Sequence, residues 1–268
     1  MMLRVGLIVA MLLSGVTTAF AACPAPEAGR VDIYPTAKVL PENLLRVYVY
    51  YPRAMASSAG LPDVRLLDAD GRPMDGVFLP TREDLWSRDR RRLTVLMDPG
   101  RVKTGLDASK ALGRALRSGQ SYTLQVSGAS LDAAGCVLGQ NTTHEFQVGP
   151  PDLKAPDPSE WALTIPTVGS RDLLTVNLGS PHDHVSLAFR LRVLDAEGSL
   201  VPGQIGLTPD EDGWHFTPRA PWKAQKYSLA IENSLEDLAG NRPGALFDRP
   251  TRQTLEPWPN SLTFRPRT

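Results

Sequence analysis

The sequence predicts an all-β protein in which two antiparallel β-sandwich domains stand in tandem behind a signal peptide. Three observations carry that prediction. One block of residues occurs twice in the same order. Apolar and polar residues alternate at strand period, and 24 prolines with 22 glycines leave little room for long helices.

The N-terminus sets the compartment. Arg4 gives a positive start, Val5 to Val16 is almost wholly apolar, and Ala19-Phe20-Ala21 puts small residues where a signal peptidase reads. Residues 1–21 are therefore expected to be cleaved before Ala22, leaving a periplasmic or secreted chain. The apolar core is about a dozen residues, short of the roughly 20 that a spanning helix needs. No later stretch approaches that length, so the mature chain is not expected to span a membrane. Cys23 after Ala21-Ala22 raises the alternative of a lipoprotein anchored through Cys23. Phe20 stands where such a motif has leucine, and this is the weaker reading.

About 245 residues remain, enough for two ordinary domains or one large one. The 29 basic and 29 acidic side chains balance, so no nucleic-acid partner is expected. Cys23 and Cys136 are the only cysteines, and in an oxidising compartment they are expected to form one disulfide. The alternatives are two free thiols, or a lipidated Cys23 with Cys136 unpaired.

The repeat orders the elements. Arg65-Leu66-Leu67-Asp68-Ala69-Asp70-Gly71 returns as Arg192-Val193-Leu194-Asp195-Ala196-Glu197-Gly198, 127 residues later. Tyr122-Thr123-Leu124-Gln125-Val126 returns as Tyr227-Ser228-Leu229-Ala230-Ile231, and Asp132 with Gly135 returns as Asp237 with Gly240, each 105 residues later. The first copy thus carries 22 extra residues, placed around Leu79–Arg92 and Arg101–Arg117. Leu45–Tyr51 and Leu173–Leu178 fit opening strands, and His144–Val148 and Ser261–Phe264 fit closing ones. The blocks ending in Gly71 and Gly198 fit turns that need positive φ. One helix is expected, over Asp107–Leu116, where Ala108, Leu112 and Leu116 share a face. The proline-rich run Gly149–Pro158 is expected to hold the domains apart as a semi-extended spacer. The division is then signal peptide 1–21, first domain 22–149, linker 150–158 and second domain 159–268.

The strand Tyr227–Ile231 followed by Leu235-Glu236-Asp237-Leu238-Ala239-Gly240-Asn241 resembles the closing motif of bacterial Ig-like domains of surface-layer and other exported proteins. Leu45–Met55, ending in Pro52-Arg53-Ala54-Met55, is similar to the segment that opens such domains. The first copy departs at Cys136, where asparagine is expected, and the second shows no clear opening motif around Pro181. The resemblance implies two tandem immunoglobulin-like sandwiches. It also implies an extracytoplasmic spacer, adhesive or accessory module, but no chemistry.

No catalytic, cofactor-binding or metal-binding residue is assigned, and no cofactor. The chain lacks Gly-x-Ser-x-Gly, Ser-x-x-Lys and His-Glu-x-x-His. His182-Asp183-His184 is the one close histidine pair, expected to be a solvated turn rather than a metal site. Asp68-Ala69-Asp70-Gly71 and Asp210-Glu211-Asp212-Gly213 supply too few oxygens for calcium and are expected to be hairpin turns. Arg88-Asp89-Arg90-Arg91-Arg92 is expected to be a solvated loop rather than a glycan or lipid patch. Trp214 and Phe216 should share a core face, and Trp222 should cover a sheet edge; an exposed aromatic platform for carbohydrate is the alternative. The expectation is a non-catalytic exported module of the cell envelope, binding glycan or protein or acting as a spacer. Its rivals are a hydrolase with an interdomain site and an assembly factor that offers a sheet edge to a client strand.

Overall fold

The computed structural model describes Cys23 and residues 30–103, 113–248 and 259–268, and arranges them in four sheets. The predicted signal peptide lies outside the described residues, as does most of the predicted helix. The described end of that helix segment, residues 113–116, is not helical.

In the first sandwich, β1 (Asp32–Tyr34), β3 (Arg46–Tyr50), β6 (Arg92–Leu96) and β5 (Leu85–Trp86) form one sheet in the order β1-β3-β6-β5. The other runs β2-β8-β7-β4, from β2 (Val39–Pro41), β8 (Thr142–Gly149), β7 (Ser121–Val126) and β4 (Val64–Leu67). In the second sandwich, β9 (Ala162–Thr164), β10 (Leu174–Asn177), β13 (Gly213–Pro218) and β12 (Gly203–Leu207) form a sheet of order β12-β13-β10-β9. It faces β11 (Leu191–Leu194), β14 (Tyr227–Ile231) and β15 (Ser261–Phe264). All ladders between these strands are antiparallel except β2 with β8. Read along the chain, with β2 set aside as an extra strand, each sandwich sets strands one, two, five and four against three, six and seven, which is the immunoglobulin-like order. A second hallmark recurs in both copies. The hydroxyls of Tyr122 and Tyr227, at the start of the sixth strand, accept hydrogen bonds from the backbone N–H of Arg117 and Lys223 just upstream.

Alternation explains the cores. Val47 and Val49, Leu93 and Val95 turn inward from one sheet to meet Leu66, Leu124 and Val126 from the other. In the second sandwich, Leu174, Val176, Trp214 and Phe216 meet Val193, Leu229 and Ile231. Each fully buried side chain of this kind contributes about 1.5–3 kcal/mol relative to exposure. The duplicated turns also match. Asp68 accepts from the N–H groups of Asp70 and Arg72, as Asp195 does from Glu197 and Ser199, and Gly71 and Gly198 sit at φ 77° and 79°.

Three features differ from expectation. The second copy does have its opening segment: His182 bridges Asp237 as Met55 bridges Asp132, at the same two offsets, with histidine substituted for methionine. A helix follows at His184–Arg190, started by Asp183, whose carboxylate accepts from Ser186 N–H, and anchored by fully buried Leu187. And the linker does not hold the sandwiches apart. Asn43 pairs with both backbone groups of Asp152, and Asn241 donates to the same carbonyl. Leu45 N–H bonds Leu238 carbonyl, and Leu238 packs into the first core.

Candidate functional site at the junction of the sandwiches

The outward face of β3 carries Arg46, Tyr48 and Tyr50. On an isolated sandwich such residues would be wet, yet Tyr48 is only 4% exposed because loops of the second sandwich cover it. Tyr48 donates its hydroxyl to Asp183 at 2.8 Å, and Arg46 sits 3.6 Å from the same carboxylate. Arg46 also donates to Glu236, whose other oxygen accepts from Arg242 at 2.6 and 2.9 Å. Two carboxylates and two guanidiniums thus alternate across the joint. Partners in such a buried set support each other's charge, so removing one is costly.

A second cluster lies beside it. Glu211 closes the turn between β12 and β13 at φ 54°, a strained conformation for a residue with a side chain, and is 1% exposed. Its carboxylate accepts from Thr36 N–H at 2.9 Å and from the Thr36 hydroxyl at 3.1 Å, and meets His184 Nδ1 at 3.3 Å. The His184 ring stacks on Tyr34 with centroids 3.6 Å apart, and Tyr50 meets both rings edge-on. Tyr34, Thr36, His184, Ala188, Ile205, Gly206, Leu207 and Glu211 are among the walls of a concavity of about 490 Å³.

Burial sets the titration of this region. It pushes Asp183 above the usual carboxylate range, against the pull of Arg46 and the hydrogen bonds of Ser186 and Tyr48. It pushes the Tyr48 phenol up as well, aided by the Asp183 charge. Asp237 rises to about 7 through burial and the nearby Asp152 charge, although Ala239 and Asn241 donate to it. Its repeat counterpart Asp132 is held low, chiefly by the Cys136 N–H, with help from Arg53 at 2.6 Å. One repeat position therefore titrates in opposite directions: burial dominates at Asp237, and the backbone N–H bond dominates at Asp132.

The candidates read from sequence separate here. Cys23 and Cys136 are joined as a disulfide, so Cys23 is not a free thiol. His182-Asp183-His184 is not a solvated turn, because His182 and Asp183 are buried and Asp183 and His184 meet Tyr48 and Tyr34 of the other sandwich. His182 is 1% exposed against Trp161, its Nδ1 bonds Ser180 carbonyl, and burial pushes its pKa down. It and His184 diverge rather than converge on a common ion. Among the described residues no group of three or more His, Cys, Asp or Glu is placed to hold a metal. Asp68–Gly71 is an exposed turn, whereas the 210–213 turn buries Glu211. Arg90 donates to Met55 and Ala56 carbonyls and lies over Trp86, so it is part of the fold rather than a free patch. Trp214 and Phe216 do share a core face, stacked 6.1 Å apart. Trp222 is buried at 2% and packs against Phe216, Tyr227 and Phe264 instead of covering an edge or forming a platform. Arg46, Tyr48 and Glu236 were not singled out by the sequence. For Arg46 and Tyr48 the only signal is polar residues alternating on a strand, which is also what solvent demands, and Glu236 shows only as an acid in a loop.

No family model matches the chain, and no curated protein matches it. Solved structures do. A chain from a mouse coronavirus receptor-binding domain complexed with its murine receptor aligns at 13% identity over 76% of this chain and 92% of that one, with a TM-score of 0.18. Rst D1-D2 aligns at 10% identity over 85% and 92%, TM-score 0.22. Murine CEACAM1b aligns at 13% over 76% and 91%, TM-score 0.18. Scores this low carry no argument, and the fold assignment rests on the strand order above. No helix among the described residues is long and apolar enough to cross a membrane.

Proposed function

We propose that the chain is an exported, non-catalytic immunoglobulin-like module of the cell envelope that presents a rigid two-sandwich body to a protein partner. One observation carries this: the charged side chains named at the joint are already bound to the opposite sandwich or to each other. Glu211, the carboxylate in the junction concavity, is taken by Thr36 and His184. A hydrolase needs such groups free to meet substrate. The described tryptophans favour protein over glycan, since Trp161, Trp214 and Trp222 are buried and Trp86 lies under Arg90. Export, with cleavage before Ala22, is part of the proposal and is supported by the bridge between Cys23 and Cys136. So is the division into domains at 22–149 and 159–268.

The test is capture from envelope extracts on the purified chain, run beside a glycan array and a panel of ester, glycoside and peptide substrates. A captured protein that raises the melting temperature of the chain supports the module. Turnover of a substrate overturns it. Mass spectrometry of exported chain should find Ala22 at the N-terminus and Cys23 bridged, and a diacylglyceryl adduct on Cys23 would contradict both.

A further inference from the structure

We propose that β12 is a docking edge for one extended peptide strand of a partner protein, apolar at alternate positions and basic at its N-terminal end. The proposal rests on the protein-binding reading above and names its surface. Among the described residues, β12 is the longest strand at the edge of a sheet: five residues, against two to four for the others. Its sequence, Gly203-Gln204-Ile205-Gly206-Leu207, has no charge and no proline, the devices by which exposed edges usually refuse a neighbour.

The free groups follow from the register. Thr208 N–H bonds Gly213 carbonyl and Arg219 N–H bonds Pro202 carbonyl, so even-numbered residues of β12 bond β13. The N–H and C=O groups of Gly203, Ile205 and Leu207 then point away from the sheet. Two other edges, those of β4 and β11, are closed. Met74 N–H bonds Leu66 carbonyl beside β4, and Val201 N–H bonds Val193 carbonyl beside β11. In the first sandwich the strand equivalent to β12 pairs through Phe78 with Met97 and then breaks at Pro80-Thr81-Arg82-Glu83-Asp84 before β5. Only the second copy keeps this edge continuous and uncharged.

The surroundings select the occupant. Ile205, Gly206 and Leu207 form one wall of the junction concavity, and His184, Ala188, Tyr34 and Thr36 form the other. An edge recessed between a helix and another sandwich admits a slim single strand more readily than the broad sheet of a second copy. Exposed Ile205 offers the apolar contact. Asp210 and Asp212 lie exposed at the C-terminal end of β12, and among the described residues no Lys or Arg lines the concavity. An antiparallel guest brings its N-terminal end to that acidic turn, which is why a basic residue belongs there.

The test uses fluorescence polarisation with the labelled peptide Lys-Val-Thr-Val-Thr-Val and the full mature chain. Binding is expected, weakened several-fold when the peptide lysine is replaced by glutamate. Ile205→Lys, which charges the edge while its stem stays on the surface, should weaken binding about tenfold or more. N-methylating the peptide at alternate residues should do the same in one phase and not the other, a readout that holds even if the protein variant folds poorly. Hydrogen exchange should show Ile205 and Leu207 amides slowed by the peptide. Affinity unchanged by Ile205→Lys and by both methylation patterns, or absence of binding at millimolar peptide, overturns the proposal. So does a concentration-dependent dimer with the same two amides protected without peptide, which would make the occupant a second copy. None of these failures touches the protein-binding reading, which fails if no envelope protein is captured at any surface or if a substrate is turned over.

Discussion

Asp237 shows how one carboxylate ties stability to pH. Its folded pKa of about 7 lies above the ordinary 3.8, so between those values the folded chain holds a proton that the unfolded chain has released. Stability from this group is full below about pH 4 and declines until about pH 7, at on the order of 1.4 kcal/mol per unit. His182 and His144, both pushed down by burial, slope the opposite way below their ordinary 6.5. Comparison with Asp237→Asn removes their share. Across denaturant melts from pH 4 to 8, wild type should lose stability relative to D237N up to about pH 7. A constant difference would refute the assignment. Arg46 gives the second prediction at this scale. Arg46→Met leaves Asp183 and part of Glu236 buried without their cation and should cost about 3–5 kcal/mol in chemical denaturation. A loss under about 1 kcal/mol would mean the joint is wet and loosely made. Neither residue was legible in the sequence as more than a turn acid and a surface arginine. Arg46 meets Glu236 190 residues away along the chain, and the Asp152 charge that helps to raise Asp237 comes from outside its turn, so no local pattern reports either.

Strands and turns were legible because their causes are local. The opening strands expected at Leu45–Tyr51 and Leu173–Leu178 appear as β3 and β10, and the expected closing strands appear as β8 and β15. Period-two alternation places a residue in or out regardless of what lies beyond the sheet. The Asp-Ala-Asp-Gly and Asp-Ala-Glu-Gly turns are likewise self-contained, since the aspartate caps its own backbone and the glycine supplies positive φ. Gly198→Ala should therefore cost about 1 kcal/mol or more in thermal unfolding without altering the strand ladder. A neutral result would place the strain elsewhere. The short helix His184–Arg190 was not legible. Its seven residues show one buried leucine and a cap, and its position depends on the sandwich it packs beneath. The opening segment of the second copy was hidden because Met55 becomes His182, a polar residue made tolerable by Trp161 and the Ser180 carbonyl.

At the scale of the molecule, composition and the repeat pointed to two cores but not to how they meet. A proline-rich run suggests separation, and here it does the reverse, because Asn43 and Asn241 clasp Asp152 in its midst. Polar pairs buried between the sandwiches, above all Arg46 with Asp183 and Glu236, clamp them into one rigid body. The direct measurement is backbone amide nuclear relaxation on the mature chain, resolving rotational correlation times for β3, β6 and β7 against β10, β13 and β14. One shared correlation time is expected in wild type, separating into two shorter ones in Arg46→Met if that variant remains folded. Two independent correlation times in wild type would contradict the clamp.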